Sequence, residues 1–458
     1  MKGIRRKVIN INLNRGLVGE ETLPMSWYQE YPGGYGLGMK YLQEDLKLKK
    51  PTLSDPVIIM TGSLAGYPVP LTARASIMFY ENETHSLVLS SIGGNFPAFL
   101  KLLGFDGIII SGKSQKPVRI NLKSGNTDII DADDVWSKDI LETEKIVKAD
   151  AHEISTLTIG PGGEHERPNA SVVVDAFING GAGIGRAFGN KKLKLIAIEP
   201  SSELLLEGNP QDFLSWVYLY LGKNRETLRD GTINRSCFGC VKCCGVYHSQ
   251  QDIVYVEKDF QLVKKILTKL SVEHLLCFYK ECLKQGLDFF LTARLIEDLV
   301  NDSNFPEIAG KLLSFTKELE APLYDHSWDM AQLYVHEWYV DNVFENVKSV
   351  QDVIYKENLA AVKHFIPVCE RWSMELEDMI TLFSRITGVR YSEEELLKIG
   401  ENTIEQAMNF YLSLEYTNLD HKRNDYVRRC IPSKIIKNFS DYLNIRKWAK
   451  SGYPTLNR

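Results

Sequence analysis

The sequence predicts an α+β protein, with a β-rich first domain over 1–203 and helical domains over 204–365 and 366–458. Three observations carry this. Short apolar, β-branched runs recur through the first domain, separated by three glycine-rich turns. After Glu203 the apolar residues take up helical spacing and glycines become sparse. Asn234 to Gly245 then reads NRSCFGCVKCCG, with four of the eight cysteines inside eight residues.

The elements follow in order. Residues 4–14 alternate apolar and polar (Ile4, Val8, Ile9, Ile11, Leu13), a strand pattern that ends in the turn-like Asn14-Arg15-Gly16. Tyr31 to Leu42, YPGGYGLGMKYL, sets Gly33, Gly34, Gly36 and Gly38 ahead of a helical segment. Glycines at a helix start let backbone N–H groups approach a phosphate or a flat cofactor, although one such run reads more readily as a plain turn. Strands are predicted at 57–61, 75–80, 86–90, 108–110, 118–122 and 195–198. Arg74 follows the proline-stiffened loop GSLAGYPVP, SIGGNFPAFLKLLGFDG supplies a second glycine turn, and NGGAGIGRAFG over 179–189 supplies a third. Three glycine turns in one strand-rich domain argue for a shared ligand more strongly than any one alone. Helices are predicted at 210–230, 259–301 (in at least two pieces), 306–318, 327–363, 373–386, 392–415 and 432–450, punctuated by Pro322, Pro367, Gly388 and Pro432.

Composition narrows the function classes. The chain has 458 residues, 44% hydrophobic and 25% charged, an ordinary globular balance for two or three domains. A net charge of -5 supplies no basic field for nucleic acid. The basic N-terminus, MKGIRRKVININLNRG, has no apolar run behind it, and no stretch approaches membrane-spanning length. A cytoplasmic protein with reduced thiols is the expectation.

Cys237, Cys240 and Cys244 read C-x2-C-x3-C, with Cys243 as an extra thiol beside the last. Short spacing lets one turn aim several thiolates at a common centre. An iron–sulfur cluster takes four thiolates, commonly three from a short run and one from far away. Cys277, Cys282, Cys369 and Cys430 are the remote candidates. Zinc also favours Cys-x2-Cys, but usually with a second pair or spaced histidines, and only His248 lies nearby. A set of buried or redox-active thiols without metal is the third reading, and the spacing alone leaves all three open.

Taken together these motifs resemble the aldehyde ferredoxin oxidoreductase family of tungsten or molybdenum pterin enzymes. GGYGLGMKYL, MTGSLAGYPVP with Arg74, SIGG followed by FLKLLGFDGIIISGK, IGPGGE, GAGIGRAFGNKKLKLIAI and CFGCVKCCG fall in that family's order. GLDFF near 286 and ITGVRYSEEELLKIGE over 386–401 are similar to its helical domains. The resemblance implies a β-structured N-terminal domain holding one face of a bis-pterin metal cofactor, with helical domains closing over the other. It also implies a [4Fe-4S] cluster beside one pterin, held by Cys237, Cys240 and Cys244 with Cys369 as the fourth ligand, Cys430 being the alternative. Arg74, Gly93, Gly94, Gly183 and Gly185 would line the pterin, and Asp288 ends the segment LKQGLD that stands for the family's D-x-x-G-L-D. Glu257 would stand near the metal, against a plain solvated charge beside Lys258 and Asp259. Ferredoxin or another redox subunit is the implied electron partner, with a homodimer or hetero-oligomer as the implied assembly.

The departures from the family concern the pterin. Leu283 and His364 occupy the positions of the two leading carboxylates, and leucine supplies no acceptor for a pterin's guanidine-like edge. Gly181 sits where the family has an arginine, leaving Arg186 and Lys191 as substitutes. No counterpart of the family's active-site histidine stands in PLYDHSWDMAQLYVHEWYVDN, although His326 and His336 lie there, and the chain is shorter between Ala197 and Cys237 and between Tyr247 and Cys369. Two functions follow: an oxidoreductase converting an aldehyde at the pterin metal, or a relative that keeps only the cluster as an electron-transfer or structural subunit. Trp328, Trp338 and Phe344 filling the pocket would favour the second.

Overall fold

The computed structural model describes residues 3–48, 55–81, 86–149, 153–200, 210–223, 234–312, 348–369, 371 and 374–413. His326, His336, Trp328, Trp338, Phe344, Cys430 and the helix expected over 432–450 lie outside the described residues.

The first part of the chain folds into two six-stranded sheets that share one core. β1 (Lys7–Asn12), β2 (Leu17–Thr22), β3 (Val57–Thr61), β4 (Ala75–Glu81), β5 (Ser86–Ile92) and β6 (Gly107–Ser111) form the first, in the order β2-β1-β6-β3-β4-β5. β7 (Val118–Lys123), β8 (Asn126–Asp131), β9 (Ser155–Ile159), β10 (Val172–Val174), β11 (Ile178–Asn179) and β12 (Leu193–Ile198) form the second, in the order β11-β10-β9-β12-β7-β8. Only β1–β6 and β12–β7 pair in parallel, so both sheets are mixed. Ile9, Ile59 and Ile77 from the first sheet share a core with Ile120, Leu157 and Ile196 from the second. Burying each such side chain stabilises by about 1.5–3 kcal/mol. β3, β4 and β12 are buried at every position, which fits their largely apolar sequences, Ser76, Glu81 and Lys194 excepted, whereas β2 is an exposed edge without alternation and escapes sequence reading.

The helices are α1 (Met25–Glu30), α2 (Gly34–Leu48), α3 (Phe96–Leu102), α4 (Ile140–Val147), α5 (Pro161–Glu164), α6 (Ile184–Asn190), α7 (Pro210–Lys223), α8 (Glu257–Ile266), α9 (Val272–Gln285), α10 (Phe289–Ile296), α11 (Phe305–Ala309), α12 (Val350–Phe365), α13 (Leu376–Thr387) and α14 (Glu393–Ser413). The α+β architecture is therefore as predicted. A small third sheet, β13 (Asn234–Arg235), β14 (Gly245–His248) and β15 (Ile253–Val256), interrupts the helical part, and the cysteine run is the connection between β13 and β14. α8 to α11 gather a second core from Phe260, Tyr279, Phe289 and Ile308, capped against β10 by Val173.

One expectation needs correction. The glycines of YPGGYGLGMKYL do not precede the helix but form its first turns, from Gly34 onward. A Cβ on Gly38 would stand 2.4 Å from Met78 Cε of β4, and one on Gly34 would stand 2.4 Å from the His364 carbonyl and 2.5 Å from Pro367 Cγ. Their smallness thus serves helix–sheet contact and the close approach of the segment leading to Cys369. Gly34→Ala, at φ +53°, is expected to cost about 1–3 kcal/mol. Urea denaturation checks this, with Gly222→Ala in α7, where a Cβ meets nothing within 4 Å and helix propensity favours alanine, as the control expected to lose nothing.

Candidate metal centre

The cysteine run is set against the first domain by backbone contacts. Gly94 N–H donates to Cys237 Sγ at 3.1 Å, Phe238 N–H donates to the Gly94 carbonyl at 3.3 Å, and Cys240 N–H closes a turn on the Cys237 carbonyl at 3.0 Å. Gly239, at φ +63°, permits this turn, since a Cβ there would meet the backbone of Pro68 and Val69 at 2.8 Å. Leu71, at φ +70° in the proline-stiffened loop, lies beside both cysteine segments: its backbone favours the Cys240 thiolate, and its carbonyl accepts from Cys369 N–H at 2.8 Å. Cys369 reaches this place because α12 stops at Ile366, ahead of Pro367, which cannot continue a helix.

Cys237, Cys240, Cys244 and Cys369 lie close enough to act on one another electrostatically. Burial, reinforced by repulsion from Cys237 and Cys369, pushes the Cys240 thiol up to about 12. Burial also raises Cys244, with repulsion from Cys237 and Cys369 next, and raises Cys237, with Cys369 next. Cys243, at φ +39°, turns the chain between Lys242 and Cys244. Of the other remote candidates, Cys282 is fully buried on α9, and Cys277 Sγ accepts from Gln251 Nε2 at 3.4 Å. Among the described residues no three His, Cys, Asp or Glu side chains close on a single metal ion.

Cations surround this centre. Arg74 is 2% exposed and donates from Nε and Nη2 to Ser91 Oγ at 3.1 and 2.7 Å. A Cβ on Gly93 would stand 2.7 Å from Arg74 Nη1 and 3.2 Å from Cys237 Sγ, so Arg74, Gly93 and Cys237 pack together. Arg371, two residues beyond Cys369, is buried and forms a bidentate pair with Asp259 on α8. Sequence reasoning missed Arg371, Asp259 and Leu71. Proximity to Cys369 flagged Arg371 faintly, and nothing flagged the other two.

The remaining predicted residues have neighbours of their own. Gly183, at φ +85°, opens α6, and Gly185 abuts backbone, a Cβ there meeting the Ser171 carbonyl at 2.5 Å. Asp288 caps α10, accepting from Leu291 N–H at 2.8 Å. Glu257 is the first residue of α8; its N–H donates to the Cys244 carbonyl at 3.1 Å, and its carboxylate accepts from Gln261 Nε2 at 2.8 Å. Arg186 pairs with Glu81 at 3.6 Å, and Lys191 donates to Asp55 at 2.8 Å and to the Gly112 carbonyl at 3.1 Å. Leu283 is fully buried in the second core, and His364 is 3% exposed.

Residues 8–200 match the family described as aldehyde ferredoxin oxidoreductase, N-terminal domain. A tungsten-containing aldehyde ferredoxin oxidoreductase of Thermococcus kodakarensis is 32% identical over 230 residues, covering 49% of this chain and 38% of that protein. An aliphatic sulfonate oxidoreductase, WOR-like subunit, of Pyrococcus furiosus is 28% identical over 219 residues, covering 43% of this chain and 35% of that protein. The matched region thus spans little more than a third of these relatives' length. The solved active site complex BamBC of benzoyl coenzyme A reductase superposes with a TM-score of 0.73 over 100% of both chains at 14% identity, a likeness of fold. From residue 8 to residue 200 the chain is thus similar to the N-terminal domain of the aldehyde ferredoxin oxidoreductases.

Proposed function

We propose that this chain is an iron–sulfur oxidoreductase in which Cys237, Cys240, Cys244 and Cys369 hold a [4Fe-4S] cluster that passes electrons singly to ferredoxin or another redox subunit in the cytoplasm. The observation that carries this is the meeting of a three-cysteine run with one distant cysteine in a half-buried, cation-flanked place. Each thiolate of a four-iron cluster sits on its own iron, which matches the count of four thiols. Gly94 N–H on Cys237 Sγ is the kind of backbone donation that stabilises a ligating thiolate. No helix among the described residues is long and apolar enough to cross a membrane, in keeping with this reading.

In its fuller form an aldehyde and water give a carboxylic acid, two protons and two electrons at a tungsten or molybdenum pterin. Residues 8–200 and the packing of Arg74 and Gly93 on Cys237 support it. The described residues do not, however, fit a bis-pterin of the family's kind. Leu283 and His364 replace the two leading carboxylates, and Asp288 is engaged as a helix cap. The basic substitutes Arg186 and Lys191 are held by Glu81 and Asp55. Each lost charge-assisted hydrogen bond to a buried cofactor forgoes about 1.5–3 kcal/mol. These observations favour a second reading, a cluster-bearing electron-transfer or structural subunit of a hetero-oligomer.

Mass-spectrometric analysis of iron, tungsten, molybdenum and zinc, on protein purified anaerobically from its native host, separates the readings. About four irons per chain is the expected result. A further tungsten or molybdenum near one per chain supports the catalytic form, and its absence supports the subunit. Zinc without iron overturns both.

A further inference from the structure

We propose that the buried Arg371–Asp259 pair is a positioning device that ties the remote cysteine segment to the cysteine run and sets the reduction potential of the centre between them. The inference rests on the four-thiol cluster reading and concerns residues that take no part in ligation.

The geometry is a closed chain of short bonds. Arg371 Nε and Nη2 donate to Asp259 Oδ1 and Oδ2 at 2.7 and 2.6 Å, the fork-to-fork arrangement of a strong guanidinium–carboxylate pair. Asp259 is 1% exposed and Arg371 8%. Lys258 Nζ adds a bond to the Arg371 carbonyl at 2.7 Å. Two residues earlier on α8, Glu257 N–H holds the Cys244 carbonyl. Arg371 stands two residues beyond Cys369, so the pair joins the segments that bring Cys244 and Cys369 together.

Stability alone is a poor reason for such a pair. Desolvating two charges offsets most of their attraction, and apolar replacements of similar volume are often as stable or more so. A fixed cation beside an electron-accepting centre has a clearer use. Reduction adds one negative charge, which a buried guanidinium favours and a buried carboxylate opposes, and the low local dielectric enlarges both effects. Arg371 acts on Cys237 and Cys244 as well as on its neighbour Cys369. Arg74, acting on Cys237, contributes a cation that every variant below retains. Removing either member of the pair therefore moves the potential in opposite directions, which loss of packing alone does not do.

The test is a redox titration followed by electron paramagnetic resonance, on the full chain reconstituted anaerobically with iron and sulfide. Arg371→Met is expected to shift the reduction equilibrium about tenfold toward the oxidised form, about 59 mV downward for a one-electron couple. Asp259→Asn is expected to shift it about tenfold the other way, and Arg371→Lys to return within about threefold of the wild type. Variants that bind four irons and titrate with the wild type, or that both move in one direction, overturn the proposal. Should Arg371→Met not retain iron, Asp259→Asn decides alone: an upward shift supports the proposal and an unchanged potential overturns it. Wild-type protein that takes up no iron sinks the cluster reading, and this inference with it. Iron bound with unmoved potentials sinks this inference only.

Discussion

Cys369→Ser is expected to bring iron down from about four per chain to three or fewer and to abolish the four-iron spectrum. Serine keeps the shape of the side chain, but its hydroxyl does not ionise near neutral pH, so the fourth corner loses its anionic ligand. Cys369 alone among the four comes from outside the run, and its backbone is held in place independently through the Leu71 carbonyl. The substitution therefore removes a ligand without releasing the segment that carries it. Cys243→Ser and Cys277→Ser are the controls, since Cys243 lies outside the C-x2-C-x3-C positions and Cys277 Sγ accepts from Gln251. Metal analysis and absorption spectroscopy read the result. Full iron in Cys369→Ser, or equal loss in the controls, contradicts the assigned ligand set, and loss in Cys430→Ser instead moves the fourth ligand there.

Legibility in the sequence followed the range of the interactions involved. Strands buried on both faces, such as VIIMT at β3 and LKLIAI at β12, declare themselves because no polar residue need interrupt them, Lys194 excepted. The edge strand β2 pairs with its neighbour β1, and β10 with β11, in short hairpins, but β2 is exposed without alternation and β10 and β11 are too short to show a period. The glycines of α2 were visible as glycines, but their purpose lies in Met78, His364 and Pro367, which periodicity cannot reveal. The same holds at the candidate centre. C-x2-C-x3-C is a local pattern, whereas the place of Cys369 beside it follows from Leu71, and the cation beside both follows from Asp259, more than a hundred residues from Arg371. Family resemblance singled out Cys369 as the candidate fourth ligand through its context but could not anticipate the pairing of Arg371 with Asp259.

Asp106→Ala is expected to destabilise the first domain by about 3–5 kcal/mol, the usual cost of removing one partner from a buried charged network. Asp106 is 1% exposed and follows the turn after α3. Its carboxylate accepts from the Arg5 and Arg6 backbone N–H groups, at 3.0 and 2.6 Å, from Tyr28 Oη at 2.7 Å, and from Lys101 Nζ. Burial and this carboxylate hold the Tyr28 hydroxyl well above its ordinary pKa, so it remains a donor. Alanine would leave the Lys101 ammonium, 1% exposed, without its carboxylate and strand a hydroxyl and two backbone donors at the entry to β1. Against a total stability of about 5–15 kcal/mol, that loss takes a large share of the folded population. Urea denaturation followed by circular dichroism measures it. The double variant Asp106→Asn with Lys101→Met removes the charge together with its partner and is expected to recover at least half of the loss. A cost below about 1 kcal/mol for Asp106→Ala means that water reaches this network and that the first sheet is not anchored there.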